Sequence, residues 1–144
     1  MAEQLKDVLF YNLEKSIKVY RQFAQRNLAA KGYNITIDQW LVLKTLHDNE
    51  GITQQQVAVI VFKDYASVTR IIELLVAKHF IIRSFHTTDR RRFELALTTE
   101  GKKLLARIQP NINENRTKAL KGISKAEAEN LRNTLDKVIS NCII

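Results

Sequence analysis

The 144-residue sequence has a single cysteine, Cys142, together with one proline and four glycines. One cysteine excludes an internal disulfide and a zinc site built from several cysteines. The scarcity of glycine and proline favours long helices over the many short strands of a sandwich or barrel. No apolar run reaches the roughly 18–20 residues that a membrane span needs, and no basic segment followed by an apolar one opens the chain. We therefore expect a reduced, cytoplasmic protein without a membrane partner.

Sequence patterns typical of catalysis and metal binding are missing as well. The sequence contains no glycine-rich phosphate loop and no G-x-S-x-G motif. Its three histidines, His47, His79 and His86, do not have the H-x-x-x-H spacing of a metal site. His86, Thr87 and Asp89 include the residue types of a catalytic triad, but they share one turn-like segment that would not preorganise them. We expect no enzymatic activity, no metal and no cofactor.

The charge balance is strongly positive. The formal net charge is +8 and the isoelectric point is about 9.7. Such a balance suits a polyanionic partner, although it fits plain solubility equally well. The basic residues are spread along the chain except for one dense cluster, Arg90 to Arg92, so the position of that cluster carries more information than the total.

Apolar residues recur at three- and four-residue steps and predict four helices in the first half of the chain. Side chains able to cap a helix precede the last three. The predicted helices run from Leu5 to Leu28, from Thr36 (capping box with Gln39) to about Asp48, from Thr53 (capping box with Gln56) to Val61, and from Asp64 to about Lys78. The residues expected to be buried on the last three are Trp40, Leu43, Leu46, Val57, Ile60, Val61, Val68, Ile71, Ile72 and Leu75.

The periodicity then changes to two residues and predicts a β-hairpin. Residues 81–85 are rich in β-branched and aromatic side chains, and Phe93, Leu95 and Leu97 alternate with Glu94 and Ala96. The segment between these strands is polar and basic. A long helix is expected after Thr98, which Pro110 must kink or split because proline lacks an N–H and clashes with the preceding turn. Gly122 ends it, and a last helix follows the capping box of Ser124 and Glu127.

This order of elements predicts a mainly α fold with a small β-hairpin wing, in one domain covering residues 1–144. Residues 36–98 match a winged helix-turn-helix, and residues 1–32 and 99–144 would form a helical dimerisation lobe. The apolar termini support this division, because they carry more apolar side chains than one small lobe readily covers. These side chains are Leu5, Leu9, Leu131, Leu135, Val138, Ile139, Ile143 and Ile144.

The predicted helix 64–78 has the two faces that insertion into a DNA major groove requires. One face is apolar and holds the helix on its scaffold, and the other carries small and polar residues. Arg70 suits a bidentate contact with guanine, Thr69 a thymine methyl or a base edge, and Tyr65 a phosphate or a base, with Ala66 and Ser67 beside them. An ordinary surface helix would show a similar pattern, so this helix alone does not establish DNA binding.

Two further segments point to phosphate contacts. The N-terminus of the helix that begins with Thr53, Gln54 and Gln55 would present free N–H groups to a phosphate, although capping alone explains Thr53. Arg90, Arg91 and Arg92 would lie at the tip of the hairpin, where they can reach phosphates or a narrow minor groove. Asp89 would hold Arg91 or a neighbour in a fixed orientation. The alternative for this cluster is a solvated run of charges.

Taken together, these segments resemble the MarR-type family of transcriptional regulators, in matching order along nearly the whole chain. The most specific part is an Asp-Arg-Arg wing followed by Leu-Thr-x-x-Gly. Two departures are His79, where the family often has glycine, and Pro110, within what is usually one long helix. The matching segments are IDQWLVL at 37–43, TQQQVA at 53–58, ASVTRIIELL at 66–75, IR at 82–83, DRRR at 89–92, LTTEG at 97–101 and SKAE at 124–127.

The resemblance implies a homodimer that binds a pseudo-palindromic site on double-stranded DNA, most often as a repressor. It also implies release of the DNA by a small aromatic or phenolic effector. Tyr11, Phe23, Trp40 and His47 are candidates for lining the effector pocket, although aromatic residues at helical spacing usually belong to the core. Two other functions remain open: a winged-helix module that binds proteins without binding DNA, and a basic protein on anionic membranes, which the lack of a suitable amphipathic helix disfavours.

Overall fold

The computed structural model describes residues 2–85, 88–89 and 93–143. It has six α-helices and one two-stranded antiparallel sheet within the described residues, so the predicted mainly α fold with a hairpin is confirmed. Among these helices, none combines the length and the apolar character required to cross a membrane. The elements are α1 (Leu9–Ala30), α2 (Ile37–Asp48), α3 (Gln54–Ile60), α4 (Tyr65–Ala77), β1 (Ile81–Phe85), β2 (Phe93–Leu97), α5 (Thr99–Ala119) and α6 (Lys125–Cys142).

The predicted capping residues set the starts of the helices after α1. Thr36, Thr53 and Ser124 each form a capping box with the glutamine or glutamate three residues later. Asp64 caps α4 by accepting a hydrogen bond from the amide of Ser67. Each cap satisfies an amide that has no carbonyl partner inside the helix, which is why these local signals locate the helix starts well.

Two details of the helices in the first half differ from the prediction. The first helix begins at Leu9 and not at Leu5, because residues Leu5–Asp7 form a short 3₁₀-helix and Val8 is extended. No side chain caps α1, so the sequence carries no signal for its start. Ile60 was expected to be buried but is exposed, and Ala58 lies in the core beside Val57.

Pro110 does not divide the helix that contains it. Of the two outcomes predicted, a split is excluded, because α5 runs unbroken from Thr99 to Ala119. Ile108 and Ile112 are buried on either side of the proline and hold both halves of the helix on the core. Because proline has no N–H, the carbonyl of Ala106 lacks its helical partner. Ala106 and Pro110 are both exposed, so water can donate a hydrogen bond to that carbonyl.

A single core joins α2, α3, α4, α5, the hairpin and the end of α1. Helix α4 is anchored in it by Val68, Ile72 and Leu75, which have no exposed surface. The three predicted core residues of α2, Trp40, Leu43 and Leu46, are buried as expected. The rest of the core is formed by the buried side chains of Leu28, Ile35, Val42, Ile52, Val57, Ala58, Val61, Ile81, Leu95, Leu104, Leu105, Ile108 and Ile112.

The hairpin is fixed to the end of α4 and the start of α5 by a compact set of hydrogen bonds. The strands pair from Ile81 opposite Leu97 to Phe85 opposite Phe93. The Thr98 amide donates to the Phe80 carbonyl at 3.0 Å, and the Thr98 hydroxyl donates to the His79 carbonyl at 2.6 Å. A Cβ at Gly101 would lie 2.3 Å from the same Phe80 oxygen. This close approach gives a physical reason for glycine at the end of the Leu-Thr-x-x-Gly motif.

Helix α4 ends in a turn that is usually made by glycine. The amide of Phe80 donates to the carbonyl of Leu75 and that of His79 to Val76, which is a Schellman motif. His79 therefore has φ of 66°, in the left-handed region that disfavours a side chain. Phe62 has the same backbone conformation after α3, with φ of 60°.

We expect replacement of His79 by glycine to stabilise the fold. Glycine adopts this φ without steric cost, so His79→Gly should raise the free energy of unfolding by about 1 kcal/mol, measured by urea denaturation. His79→Ala is the matched control, because it removes the same exposed imidazole but keeps a Cβ. An equal gain in both variants would show that the imidazole, and not the backbone conformation, is responsible.

Candidate nucleic-acid interface

The first two turns of helix α4 present small and polar residues opposite the anchored side of the helix, and Leu74 is exposed one turn further on. Ala66, Arg70 and Glu73 are exposed on this face, and Ser67 and Thr69 are partly exposed beside them. Tyr65 is exposed at the first position of the helix, above the buried Val68. The predicted division of this helix into an apolar and a polar face is therefore present in the structure. The predicted DNA-contacting residues of α4 lie together in its first two turns.

The side chains of Ser67 and Asp64 are joined at the start of α4. One carboxylate oxygen of Asp64 accepts from the Ser67 amide at 2.8 Å, and the other accepts from the Ser67 hydroxyl at 2.9 Å. The backbone and side-chain hydrogen bonds from Ser67 hold the pKa of Asp64 below its usual range. The carboxylate is ionised at neutral pH and has no hydrogen to donate, so the hydroxyl of Ser67 must be the donor.

Gln54 was predicted to face the DNA together with Thr53 and Gln55, but it is buried. Its side chain is 7% exposed and its Nε2 donates to Thr69 Oγ1 at 2.5 Å. The Thr69 hydroxyl in turn donates to the carbonyl of Tyr65 at 2.9 Å. Gln54 thus joins α3 to α4 and fixes Thr69 from beneath, and its own side chain is not offered to the surface. The sequence holds no signal for this pairing of residues 15 apart.

The start of α3 lies beside α4 and keeps some of its predicted features. Gln55 is exposed and Thr53 is partly exposed. The Thr53 hydroxyl accepts from the Gln56 amide at 3.2 Å, and the Gln56 side chain accepts from the Thr53 amide at 3.0 Å. The capping box therefore uses two of the polar groups at this terminus, and the amides of Gln54 and Gln55 have no carbonyl partner within the helix.

The tip of the wing is only partly described. Arg90, Arg91 and Arg92 lie outside the described residues, so their contact with DNA stays a prediction. Asp89 is described and partly exposed. Its expected role in orienting Arg91 likewise stays a prediction.

The four candidates for an effector pocket have different environments. Tyr11 is at the surface of α1, and Phe23 is partly buried further along the same helix. His47 lies in a surface groove between α2 and α5 that none of the other three candidates lines. Trp40 is buried, its indole nitrogen has no hydrogen-bond partner within the described residues, and the Arg116 guanidinium lies 5.9 Å from its ring centre.

An ion-pair network that the sequence did not reveal connects α1 with the turn before α4. Asp38, in the first turn of α2, accepts a hydrogen bond from Arg21 on α1 and pairs with Lys63 at 3.2 Å. Burial raises the pKa of Asp38, but the hydrogen bonds and positive charges of Arg21 and Lys63 outweigh it and keep that pKa below its usual range. The partners lie far apart along the chain, so spacing offers no clue to them.

Comparisons with known proteins agree with the fold. A family model described as the MarR family matches residues 35–93. A putative transcriptional regulatory protein for the hcr operon of Thauera aromatica is 32% identical over 100 residues. These residues are 69% of this chain but only 59% of that relative, so the chain spans less than two thirds of its length.

Two solved structures have the same overall arrangement. MepR from S. aureus, solved in complex with DNA, is 25% identical, with a TM-score of 0.82 over 93% of this chain and 98% of that one. BpsR from Bordetella bronchiseptica, from a study of how 6-hydroxynicotinic acid regulates its DNA binding, is 22% identical. Its TM-score is 0.86 over 96% of this chain and 97% of that one. At this identity the likeness to BpsR concerns the fold alone.

We expect Asp38→Asn to reduce stability at neutral pH by about 1 kcal/mol, because it weakens both ion pairs. The lowered pKa of Asp38 in the folded state means that its contribution is complete above the ordinary aspartate pKa of about 3.9 and is lost as the pH falls through the lower folded value. Urea denaturation at pH 7 and at acidic pH should therefore show a difference between wild type and variant that shrinks in acid. Glu14→Gln is the control, since Glu14 pairs only with exposed Lys18 at 3.6 Å in the described structure. A difference that persists undiminished in acid would contradict the ion-pair explanation.

Proposed function

Because the chain belongs to the MarR family of winged helix-turn-helix transcriptional regulators, we propose that it binds a pseudo-palindromic site on double-stranded DNA as a homodimer and regulates transcription. The observation that carries this proposal is the one-sided packing of α4. Val68, Ile72 and Leu75 hold the helix on the core, and its opposite face has only small, polar and basic residues near its N-terminus. A helix of this kind fits a major groove about 12 Å wide.

In this proposal the residues of α4 read the bases. Arg70 is exposed and its guanidinium suits a bidentate contact with the O6 and N7 atoms of guanine. Tyr65, 56% exposed at the first position of the helix, suits a phosphate or a base edge. Ala66 gives room for close approach, and Thr69 offers its methyl group to thymine because its hydroxyl hydrogen is used by the carbonyl of Tyr65.

Residues on either side of α4 would contact the DNA backbone. The start of α3, with Thr53 and Gln55 at the surface, would direct its amides at a phosphate, while Gln54 would act as a positioning residue for Thr69. Arg90, Arg91 and Arg92 on the wing would contact a neighbouring phosphate or the minor groove. The determination of MepR, a protein of similar fold, in complex with DNA supports this assignment.

The exposed apolar residues of the terminal helices support a homodimer. None of the 18 residues of α6, all of them described, is buried, and none in the first half of α1 is buried either. Large apolar side chains left open in this way mark a protein interface. A two-fold dimer would also place two copies of α4 on successive turns of the duplex. The exposed apolar residues in these helices and in the segments next to them include Leu5, Leu9, Phe10, Ile17, Val19, Leu120, Ile123, Leu131, Ile139 and Ile143.

We further propose that the protein is a repressor released by a small aromatic effector. BpsR, which shares the fold, is a protein whose DNA binding is regulated by 6-hydroxynicotinic acid. In this chain the buried indole N–H of Trp40 lacks a partner among the described residues, and Arg116 lies over its ring. An effector with an acceptor oxygen would satisfy that N–H, whose burial without a hydrogen bond is unfavourable.

The second candidate function is a winged-helix module that binds another protein and not DNA. It is favoured by three apolar side chains exposed on α3 and the turn after it, Val59, Ile60 and Phe62, of which Phe62 is 93% exposed. Salt separates the two functions, because DNA binding weakens steeply with ionic strength as each phosphate contact adds to the slope. No retention of any duplex at low salt would favour the protein-binding module.

We expect substitutions of the two groups of arginines to have different effects on binding. Arg70→Ala should weaken binding to a selected duplex by about 1–3 kcal/mol and relax its base preference, because it removes a base contact. Arg91→Ala should weaken binding to selected and random duplexes alike and reduce the salt slope by about one. Binding is measured by fluorescence anisotropy on duplexes selected from a random pool, at several salt concentrations.

Arg132→Ala is the matched control for both, since Arg132 is an exposed arginine on α6, outside the segments proposed to contact DNA. It removes one positive charge and should leave the base preference unchanged. An equal loss on selected and random DNA for Arg70→Ala would contradict its role in reading a base.

We expect Ile139→Glu to dissociate the dimer. A charge placed in an apolar contact between subunits is costly, so sedimentation at micromolar concentration should show a dimer for the wild type and a monomer for the variant. Val59→Glu is the control, because Val59 is an exposed aliphatic residue outside the terminal helices. A wild-type chain that sediments as a stable, folded monomer would defeat the homodimer.

A further inference from the structure

The start of α4 carries an inference about base preference that rests on the proposed function. We propose that Asp64 sets the specificity of Ser67 by holding its hydroxyl hydrogen, so that Ser67 presents only acceptor lone pairs to the DNA and selects bases with an amino group. Asp64 is then a positioning residue that acts through Ser67. It is distinct from the residues that touch the bases.

The geometry fixes the direction of the Ser67 hydroxyl. Both oxygens of Asp64 bond to Ser67, one to its amide at 2.8 Å and the other to its hydroxyl at 2.9 Å. The bond from the Ser67 amide to Oδ1 is the helix cap, and it sets the plane of the carboxylate. In that orientation the second oxygen, Oδ2, lies beside the Ser67 hydroxyl and accepts its hydrogen. A hydrogen bond to a charged acceptor is stronger than one between neutral groups, so the hydroxyl hydrogen stays with Asp64.

Ser67, Thr69 and Arg70 differ in whether they can donate or accept a hydrogen bond at the DNA. Thr69 donates its hydroxyl hydrogen to the carbonyl of Tyr65 and accepts from Gln54, so it too has no hydrogen to offer. Arg70 has only donors. Ser67 therefore serves the donor groups of the bases, and Arg70 serves the acceptors.

In the major groove, an acceptor-only Ser67 hydroxyl would distinguish two classes of base. Adenine and cytosine present amino groups there, N6 and N4, and guanine and thymine present the acceptor O6 or O4 at the corresponding place. The Ser67 oxygen can accept a hydrogen bond from the amino group of adenine or cytosine. Opposite guanine or thymine, its lone pairs would face those of O6 or O4 and repel them. One position in each half-site should therefore prefer adenine or cytosine.

Asp64→Asn provides a direct test because it changes the hydrogen-bonding role of the Ser67 hydroxyl. The hydroxyl donates to residue 64 in the wild type and would accept from it in the variant. The Ser67 amide still requires an acceptor, so the asparagine oxygen faces that amide and its Nδ2 faces the Ser67 hydroxyl. The hydroxyl then accepts from Nδ2, and its own hydrogen is free to donate to guanine or thymine. Asparagine is as good a helix cap as aspartate, so α4 is expected to form.

The experiment is the selection of bound duplexes from a random pool by the full-length protein. For the wild type, one position per half-site should favour adenine or cytosine by about three- to tenfold, the factor expected for one hydrogen bond. Ser67→Ala should abolish this preference, and Asp64→Asn should shift it to guanine or thymine. Asp64→Ser, which caps with a single oxygen and releases the hydroxyl, should leave the two classes nearly equal and serves if Asp64→Asn fails to fold.

Glu73→Gln is the matched control for charge. Glu73 is exposed on the same face of α4, so its replacement removes the same negative charge near the DNA without touching Ser67. It should strengthen binding to all duplexes similarly and leave the base preference unchanged. A shift in Glu73→Gln equal to that in Asp64→Asn would overturn the proposal, because charge alone would then explain the change.

The remaining outcomes distinguish a failure of the roles given to Asp64 and Ser67 from a failure of the proposed DNA-binding function. A wild-type preference that Ser67→Ala abolishes and the Asp64 variants leave intact would overturn the role of Asp64. A preference that survives in Ser67→Ala would overturn the reading of a base by Ser67. A wild-type protein that selects no duplex would overturn the proposed function, and this inference with it.

Discussion

Helix α4 is buried on one side only, and the buried side fixes how the helix sits on the core. Val68, Ile72 and Leu75 have no exposed surface, so the orientation of this helix about its axis is set by the core. A rotation that exposed them would cost several kcal/mol of apolar burial. Every property of the opposite face, including which small and polar side chains stand together on it, follows from that fixed orientation.

The elements around α4 are held to it by polar contacts at both of its ends. At its start, Lys63 pairs with Asp38, which also binds Arg21 on α1. At its end, the carbonyls of His79 and Phe80 accept hydrogen bonds from Thr98, just before α5. The helix is thereby connected to α1, α2 and α5 as well as to the wing, so a displacement of the terminal helices has a physical route to the proposed DNA-contacting face.

Hydrogen bonds within the protein decide what the polar face of α4 offers. Ser67 and Thr69 have the same functional group in the sequence, but the hydrogen of one is held by the carboxylate of Asp64 and that of the other by the carbonyl of Tyr65. Thr69 also accepts from Gln54, which leaves it with its methyl as the distinctive feature. Two residues that both read as generic hydroxyls thus acquire separate chemistry from their neighbours.

The capped helix starts, the strand alternation and the faces of the helices were predictable from the sequence, because these features depend on residues within one or two turns of each other. The sequence placed α4 correctly, and three of the four residues predicted on its apolar face are buried, while Ile71 is partly buried. The start of α1 carries no capping signal. The exposure of Ile60 and the unbroken α5 at Pro110 depended on how the folded chain packs around them. The contact of Gln54 with Thr69, and the position of Asp38 between Arg21 and Lys63, arise only when the chain folds. The physical reason is that contacts between segments depend on where the folded chain places each surface, which local periodicity and capping do not encode.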